Sequence, residues 1–175
     1  TANFTVPGHD RSSLDETDAW LCAELEKAEL RVQVQECVAR AYACDRTKPL
    51  HHWYAEPSLD APEYTVRNLL AEVRGDRLPD EIIVFVAHKD SQSWIESPGA
   101  LDNAVGTAAV LGIARVLARR GLRRTVRFLF CNEEHTPWTS AVAAADMRRR
   151  GDDLIAVLNL DALSGKPDEE VRAGL

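Results

Sequence analysis

The stretch "EIIVFVAHKD", residues 81–90, decides the fold class, because a nearly unbroken apolar run ends directly in charged residues. A strand that is buried on both faces reads this way, whereas a half-exposed strand alternates. Residues 125–131 and 154–162 have the same character, and helical patterns at 102–119 and 137–150 separate the three runs. We therefore predict an α/β protein with three α/β/α layers, in which helices cover both faces of a mixed, mostly parallel sheet.

The chain before residue 81 predicts further elements of the same domain. Residues 1–14 are polar and are expected to form an extended arm, and "LDETDAWLCAELEKAEL" predicts a helix over 14–30. Alternation predicts a strand at 31–43 and another at 65–75, with a proline-rich loop at 45–63 between them. The 175 residues are enough for one domain with a real core, so we treat 1–175 as a single unit.

Composition and charge exclude some classes of function. The net charge of −7 argues against nucleic acid as a partner, since a polyanion is bound by a basic face. No apolar run approaches the roughly 20 residues that span a bilayer. No segment of these residues is predicted to be a signal peptide. Its cellular location stays open, with a leaning towards export.

The four cysteines lack the C-x-x-C spacing of a zinc knuckle or a redox site. Cys22 and Cys131 lie in apolar runs and are expected to be buried thiols. A bridge between Cys37 and Cys44 stays open as an alternative.

The polar residues that follow the three apolar strands are types that bind metal ions. They are His88 and Asp90 after the first strand, Glu133 and Glu134 after the second, Asp161 after the third, and Asp102 at the start of the intervening helix. Because the carboxyl ends of parallel strands line one crevice, we expect these side chains to converge there.

Each of these residues alone has a plainer explanation, such as a turn or a helix cap. Together they are costly, because clustered carboxylates repel one another and raise their own pKa values unless a cation lies among them. Oxygen and nitrogen ligands without thiolates suit Zn²⁺, Mn²⁺ or Co²⁺. The adjacent pair Glu133–Glu134 could then supply one ligand and one free carboxylate, which would act as a base on water.

This pattern resembles the co-catalytic zinc aminopeptidases of the bacterial leucyl aminopeptidase and aminopeptidase Y type. Their relatives include glutamate carboxypeptidase-like peptidases and a glutaminyl cyclase branch. The resemblance covers roughly residues 64–165. The matching segments are "YTVRNLLAEVRG", "IIVFVAHKDS", "PGALDNAVGTAAVLGIARVLA", "RTVRFLFCNEE" and "IAVLNLDALSG".

The resemblance implies a zinc-exopeptidase-like fold with two zinc ions and a role for each polar residue. His88 and Asp161 would bind one zinc ion, Glu134 would bind the other, Asp102 would bridge both, Glu133 would be the general base, and Asp90 would accept a hydrogen bond from His88. Gly99 and Gly106 would serve the turn into the helix and close packing.

The sequence departs from the family pattern in two respects. The family has one more histidine ligand well after the position of Asp161, and no histidine follows Asp161 here, so we expect the domain to be incomplete on its C-terminal side. "EEHTPWTS" brings His135 and Trp138 to the wall of the crevice. We expect His135 to point away from the metal ions. The other histidines lie before the core, His9 in the arm and His51 and His52 in a loop.

Three functions follow from these observations. The first is a metal-dependent exopeptidase, most simply an aminopeptidase, which hydrolyses peptides or small amides as part of a longer protein. The second is an incomplete, inactive remnant with a partial metal site. The third is a single-zinc enzyme like glutaminyl cyclase. The sequence identifies neither the substrate-binding residues nor the oligomeric state.

Overall fold

The computed structural model describes residues 12–45, 47–49, 54–91 and 99–163, together with 169 and 172. The helices are α1 (Ser13–Lys27), α2 (Val105–Leu117), which a wide π-helical turn (Ala100–Ala104) precedes, and α3 (Thr139–Arg150). The strands are β1 (Val32–Ala41), β2 (Ala43–Cys44), β3 (Tyr54–Ala55), β4 (Tyr64–Val73), β5 (Leu78–His88), β6 (Arg124–Cys131), β7 (His135–Thr136) and β8 (Asp153–Asn159).

Six of the strands form one mixed sheet in the order β7-β1-β4-β6-β5-β8. Strand β5 runs parallel to both β6 and β8, while the β1–β7, β1–β4 and β4–β6 pairings are antiparallel. The α/β class and the mixed sheet are confirmed, but the expectation of a mostly parallel sheet is wrong. Helices α2 and α3 connect the parallel strands, as parallel crossovers require, whereas the antiparallel pairs need no helix between them.

One face of the sheet packs against α1 and α2. Leu21 and Leu25 of α1 and Val110 of α2 are fully buried against Phe128 and Phe130 of β6. Successive strand residues point to opposite faces, so Leu129, between the two phenylalanines, faces the other layer.

That other face packs against α3. Met147 of α3 is buried in a second cluster with Val84 and Val86 of β5 and with Leu129. The predicted cover of helices on both faces is therefore confirmed.

Strand β8 departs from the prediction of an interior strand. It pairs only with β5 among the described residues, and all seven of its residues are exposed. Val157, for example, is 59% exposed. The prediction rested on the apolar sequence of β8, which favours burial. The strand is exposed because no described element packs on its outer edge.

The N-terminal boundary also differs from the prediction. Helix α1 begins at Ser13, where the Ser12 side chain accepts a hydrogen bond from the Leu14 N–H at 3.2 Å, so the arm does not extend to residue 14. Residues 1–11 of the predicted arm lie outside the described residues. The predicted loop over 45–63 contains the short strand β3, which pairs with β2.

Helix α2 begins three residues later than the sequence pattern indicates. Gly99 has a left-handed backbone with φ of 63°, and Asp102 and Asn103 are non-helical. The Asn103 Oδ1 accepts the Gly106 N–H at 3.0 Å, so Asn103, rather than Asp102, caps the first turn.

The predictions about the cysteines are only partly confirmed. Cys131 is a buried free thiol, as predicted, and Cys22 is a half-buried one. Cys37 is also free and buried, so a Cys37–Cys44 bridge is not formed.

One helical stretch, Ala100–Leu117, could cross a membrane by length and composition alone. Because Asp102 and Asn103 interrupt it, the continuous helix is the 13-residue Val105–Leu117. Such a helix is about 20 Å long, which falls short of a hydrocarbon core of about 30 Å. Its apolar side is also buried against the sheet, as at Val110, so this stretch is weak evidence for a span.

Candidate metal centre

His88 ends β5 with its ring held from one side. Its Nδ1 lies 3.0 Å from the backbone carbonyl of Asp90 and 3.4 Å from Asp90 Oδ1. Because a carbonyl oxygen only accepts hydrogen bonds, Nδ1 carries the proton, and in the neutral ring Nε2 keeps its lone pair for a ligand. Thr107 of α2 donates from Oγ1 to the His88 carbonyl at 2.8 Å and so ties the strand end to the helix.

Carboxylates from three other segments surround the Nε2 of His88. Asp102 Oδ1 lies 3.0 Å from Nε2, and Asp161 Oδ1 lies 3.4 Å from it. Glu134 completes a cluster with His88 and Asp102, in which one potential ligand atom from each lies within 4.8 Å of the others. The structure thus brings together the four residues that the sequence proposes as metal ligands, at the carboxyl ends of β5, β6 and β8.

Burial and neighbouring charges shift the pKa values of two residues in this cluster. Burial raises the pKa of Glu134, and the negative charges of Asp90 and Asp102 raise it further. Burial alone would lower the pKa of His88, but its hydrogen bonds with Asp90 and the charges of Asp90 and Asp161 raise it to about 9. Neighbouring negative charge contributes to both shifts, and a bound cation would offset that contribution.

Asp90 lies beneath the cluster and is only 2% exposed. Its Oδ1 accepts the Glu133 N–H at 3.0 Å, and its Oδ2 accepts the Glu134 N–H at 2.9 Å. The His135 Nδ1 lies 2.7 Å from the same Oδ2. Burial alone would raise the pKa of Asp90, but hydrogen bonds from His135 and His88 hold that pKa well below its ordinary value.

Glu133, the predicted base, lies between the cluster and α3. Its Oε1 accepts the Ser140 N–H in the first turn of α3 at 3.3 Å. Glu133 borders a cleft of ≈ 580 Å³ that His88, Asp102, Glu134 and Asp161 also line. A substrate bound in this cleft would therefore meet the ligand cluster and Glu133 together.

The rest of the cleft is mainly apolar. Its wall continues over the sheet through Val86 and Leu129 to Met147 of α3. Trp138, by which the sequence departs from the family pattern, also lines the cleft and is 57% exposed. This composition is typical of ligand pockets, in which a few polar groups lie among apolar side chains.

Sequence reasoning missed two polar residues that link the segments carrying the ligands to their surroundings. Asn103 is buried and donates from Nδ2 to the Leu160 carbonyl at 2.9 Å, so it joins the segment of Asp102 to that of Asp161. The side chain of Lys89 has no exposed surface, and its Nζ lies 2.8 Å from Asp18 Oδ1 in α1. Asn103 could have been suspected from the sequence only because asparagine is a preferred helix cap. Lys89 could have been suspected because it is a charged residue at the end of a buried strand.

The remaining histidines add no ligand to the cluster within the described part of the chain. His135 faces Asp90, a contact that the sequence did not predict. His9, His51 and His52 lie outside the described residues.

The fold is shared with solved structures of aminopeptidases and of a glutaminyl cyclase. The structure of a leucine aminopeptidase precursor from Bacteroides thetaiotaomicron matches with a TM-score of 0.65 and 17% identity over 90% of this chain and 57% of that one. A zinc aminopeptidase from Bacillus subtilis matches with a TM-score of 0.64 and 15% identity over 87% of this chain and 64% of that one. A glutaminyl cyclase from Bacteroides thetaiotaomicron matches with a TM-score of 0.67 and 17% identity over 90% of this chain and 56% of that one. At these identities the likeness concerns the fold.

The family follows from the sequence match. The model of Peptidase family M28 matches residues 68–172, and the chain belongs to this family. A probable zinc metalloprotease of Leptosphaeria maculans is 30% identical over 134 residues, which are 70% of this chain and 31% of that protein. A probable zinc metalloprotease of Pyricularia oryzae is 31% identical over 105 residues, which are 56% of this chain and 21% of that protein. The chain thus spans less than a third of the length of these curated relatives.

Proposed function

We propose that the protein is a zinc-dependent exopeptidase, most simply an aminopeptidase, that hydrolyses peptides or small amides. The observation that carries this proposal is the convergence of His88, Asp102 and Glu134 within 4.8 Å, in a cleft that Glu133 also borders. Membership of Peptidase family M28 supports the same reaction class.

The donor set fits zinc. It offers one imidazole nitrogen and several carboxylate oxygens without a thiolate, a combination that zinc accepts in catalytic sites. In our proposal His88 and Asp161 would hold one ion, Glu134 would hold a second, and Asp102 would be a ligand of both. Zinc bound there would supply Lewis-acid polarisation of the scissile carbonyl and acidification of water.

The residues of the chain then have distinct tasks. Asp90 keeps the His88 ring in the tautomer that leaves Nε2 available, because Nδ1 is committed to the Asp90 carbonyl. Glu133 takes a proton from the attacking water at its carboxylate and returns it to the leaving amine. The hydrogen bond from Ser140 limits the rotation of the Glu133 carboxylate. The apolar wall of the cleft, with Trp138 at its border, excludes water and receives substrate side chains.

The test combines zinc content with turnover of aminoacyl p-nitroanilides. We expect bound zinc, chelator-sensitive hydrolysis, and a loss of about 10²–10⁴-fold in kcat for Glu133→Gln while zinc stays bound. Glu26→Gln is the matched control, because Glu26 is an exposed glutamate on α1.

Two results would contradict the proposal. A protein that binds no zinc would support the inactive remnant, and a zinc-loaded protein that cyclises amino-terminal glutamine without hydrolysing any aminoacyl substrate would support the cyclase alternative.

A further inference from the structure

We infer that His135 is a positioning residue of this metal centre, which orients His88 and the Glu134 backbone through the carboxylate of Asp90. The inference rests on the metal site of the proposed function and goes beyond it, because it assigns a role to the histidine by which this sequence departs from the family pattern. His135 itself stays outside the ligand cluster.

The ring of His135 is held at a defined place by the fold. His135 begins β7 and pairs with Ala41 at the end of β1, so the outermost strand of the sheet fixes its backbone. The residue is only 5% exposed, and its Nδ1 lies 2.7 Å from Asp90 Oδ2. A short contact between a buried imidazole and a buried carboxylate is a strong, oriented interaction.

Asp90 divides its two oxygens between the two sides of the site. Oδ1 accepts the Glu133 N–H and faces the ring of His88 at 3.4 Å, whereas Oδ2 accepts the Glu134 N–H and the contact from His135. Without His135, Oδ2 would keep a single described donor for a carboxylate that is almost fully buried. The carboxylate would then turn or admit water to recover its lost hydrogen bond.

That movement would reach two proposed ligands at once. The backbone of Asp90 holds the Nδ1 of His88, and the side chain of Asp90 holds the N–H of Glu134. Residues that orient ligands in this way set the geometry and affinity of a metal site. Removing one typically weakens metal binding by about 10- to 100-fold. Because His135 acts one contact further out, we expect an effect near the lower end of this range.

The experiment compares three variants of the protein by zinc affinity, measured in competition with a chromophoric chelator, and by the visible absorption spectrum of the Co²⁺ form. His135→Leu removes the donor while filling much of the same space. His135→Asn returns an amide N–H near the position of Nδ1. Thr125→Val is the matched control, because Thr125 is equally buried and hydrogen-bonded, to Pro79 and Gly75, but lies at the opposite end of β6.

We expect His135→Leu to bind zinc about tenfold more weakly and to change the Co²⁺ spectrum. His135→Asn should recover most of the affinity and the native spectrum, and Thr125→Val should lower the melting temperature without changing either readout. A merely structural role for His135 predicts instead that both destabilised variants behave alike in metal binding.

The inference would be overturned by native zinc affinity and a native Co²⁺ spectrum in His135→Leu, by equal losses in His135→Leu and Thr125→Val, or by failure of the asparagine to restore either readout. It would also fall if the unmodified protein bound no zinc. Zinc binding without any hydrolysis would refute the proposed peptidase function alone, since none of these readouts uses turnover.

Discussion

Replacing Lys89 by methionine should destabilise the fold far more than its single charge suggests. Lys89 stands between His88 and Asp90, and its side chain has no exposed surface. Its Nζ lies 2.8 Å from Asp18 Oδ1 on α1 and donates to Asn132 Oδ1 at 2.9 Å. The lysine thereby ties α1, the end of β5 and the segment after β6 into one buried polar group.

The magnitude follows from what Lys89→Met leaves behind. Asp18 would stay buried, with Arg67 Nη1 as its nearest remaining described cation at 3.8 Å, and Asn132 Oδ1 would lose its donor. Breaking a buried ion pair by removing one partner costs about 3–5 kcal/mol. For a chain of this size that corresponds to a fall of roughly 6–20 °C in melting temperature, at about 2–4 °C per kcal/mol.

The assay is urea and thermal unfolding followed by far-ultraviolet circular dichroism, with two companion variants. The double variant Lys89→Met/Asp18→Leu should lose less stability than the single one, because it leaves no unpaired buried charge on α1. Lys27→Met is the control, since the Lys27 side chain is 70% exposed and its pair with Glu24 is worth about 0–1 kcal/mol. A Lys89→Met variant within about 0.5 kcal/mol of the native protein, the range of ordinary surface changes, would refute the reasoning.

Two further predictions concern α2 and the loop before β8. Gly106→Ala should destabilise the protein, because a Cβ there would overlap the Leu160 carbonyl oxygen. Gly112→Ala in the same helix has open space around the new Cβ and should raise the free energy of unfolding by about 0.5–1 kcal/mol. Equal melting temperatures for the two variants would contradict this. Asp152→Asn should destabilise at pH 7, and this deficit should shrink progressively as pH falls below the ordinary carboxyl range. Burial opposes ionisation of Asp152, but hydrogen bonds from Arg150 and Arg127 lower its pKa. A depressed carboxyl pKa contributes stability above the unfolded value and loses it as pH falls, so a pH-independent deficit in thermal unfolding would refute the assignment.

The sequence predicted the interior of the sheet well, because burial on both faces leaves a direct mark on composition. The apolar runs that became β5 and β6 lie within one or a few residues of their observed bounds. The direction of the other strands left no such mark, since antiparallel pairing of β4 with β6 depends on residues far apart along the chain. The exposure of β8 was equally hidden, because composition reports a tendency to be buried and not the presence of a neighbour.

The positions of the site residues could be predicted from strand ends, but their supports could not. Asp102 was predicted to start the helix, but α2 begins at Val105, because the Asn103 side chain bonds the Gly106 backbone. The contact of His135 with Asp90 joins residues 45 apart and exists only because β7 turns back onto β1. The sequence pattern predicted that His135 points away from the ligands, but it did not predict that Asp90 is its partner.

The register of two neighbouring strands explains why the spacings along the sequence match across the site. His88 of β5 lies opposite Cys131 of β6 in the parallel ladder, so Asp90 and Glu133, each two residues further on, leave the sheet side by side. The Asp90 carboxylate then receives the N–H groups of Glu133 and Glu134, and a side chain continues the hydrogen bonding where the backbone ladder stops. A residue inserted after either strand would shift one spacing against the other and separate the carboxylate from its donors. The spacing of acid and histidine after β5 and the spacing of the glutamate pair after β6 are therefore one structural requirement, set by the sheet.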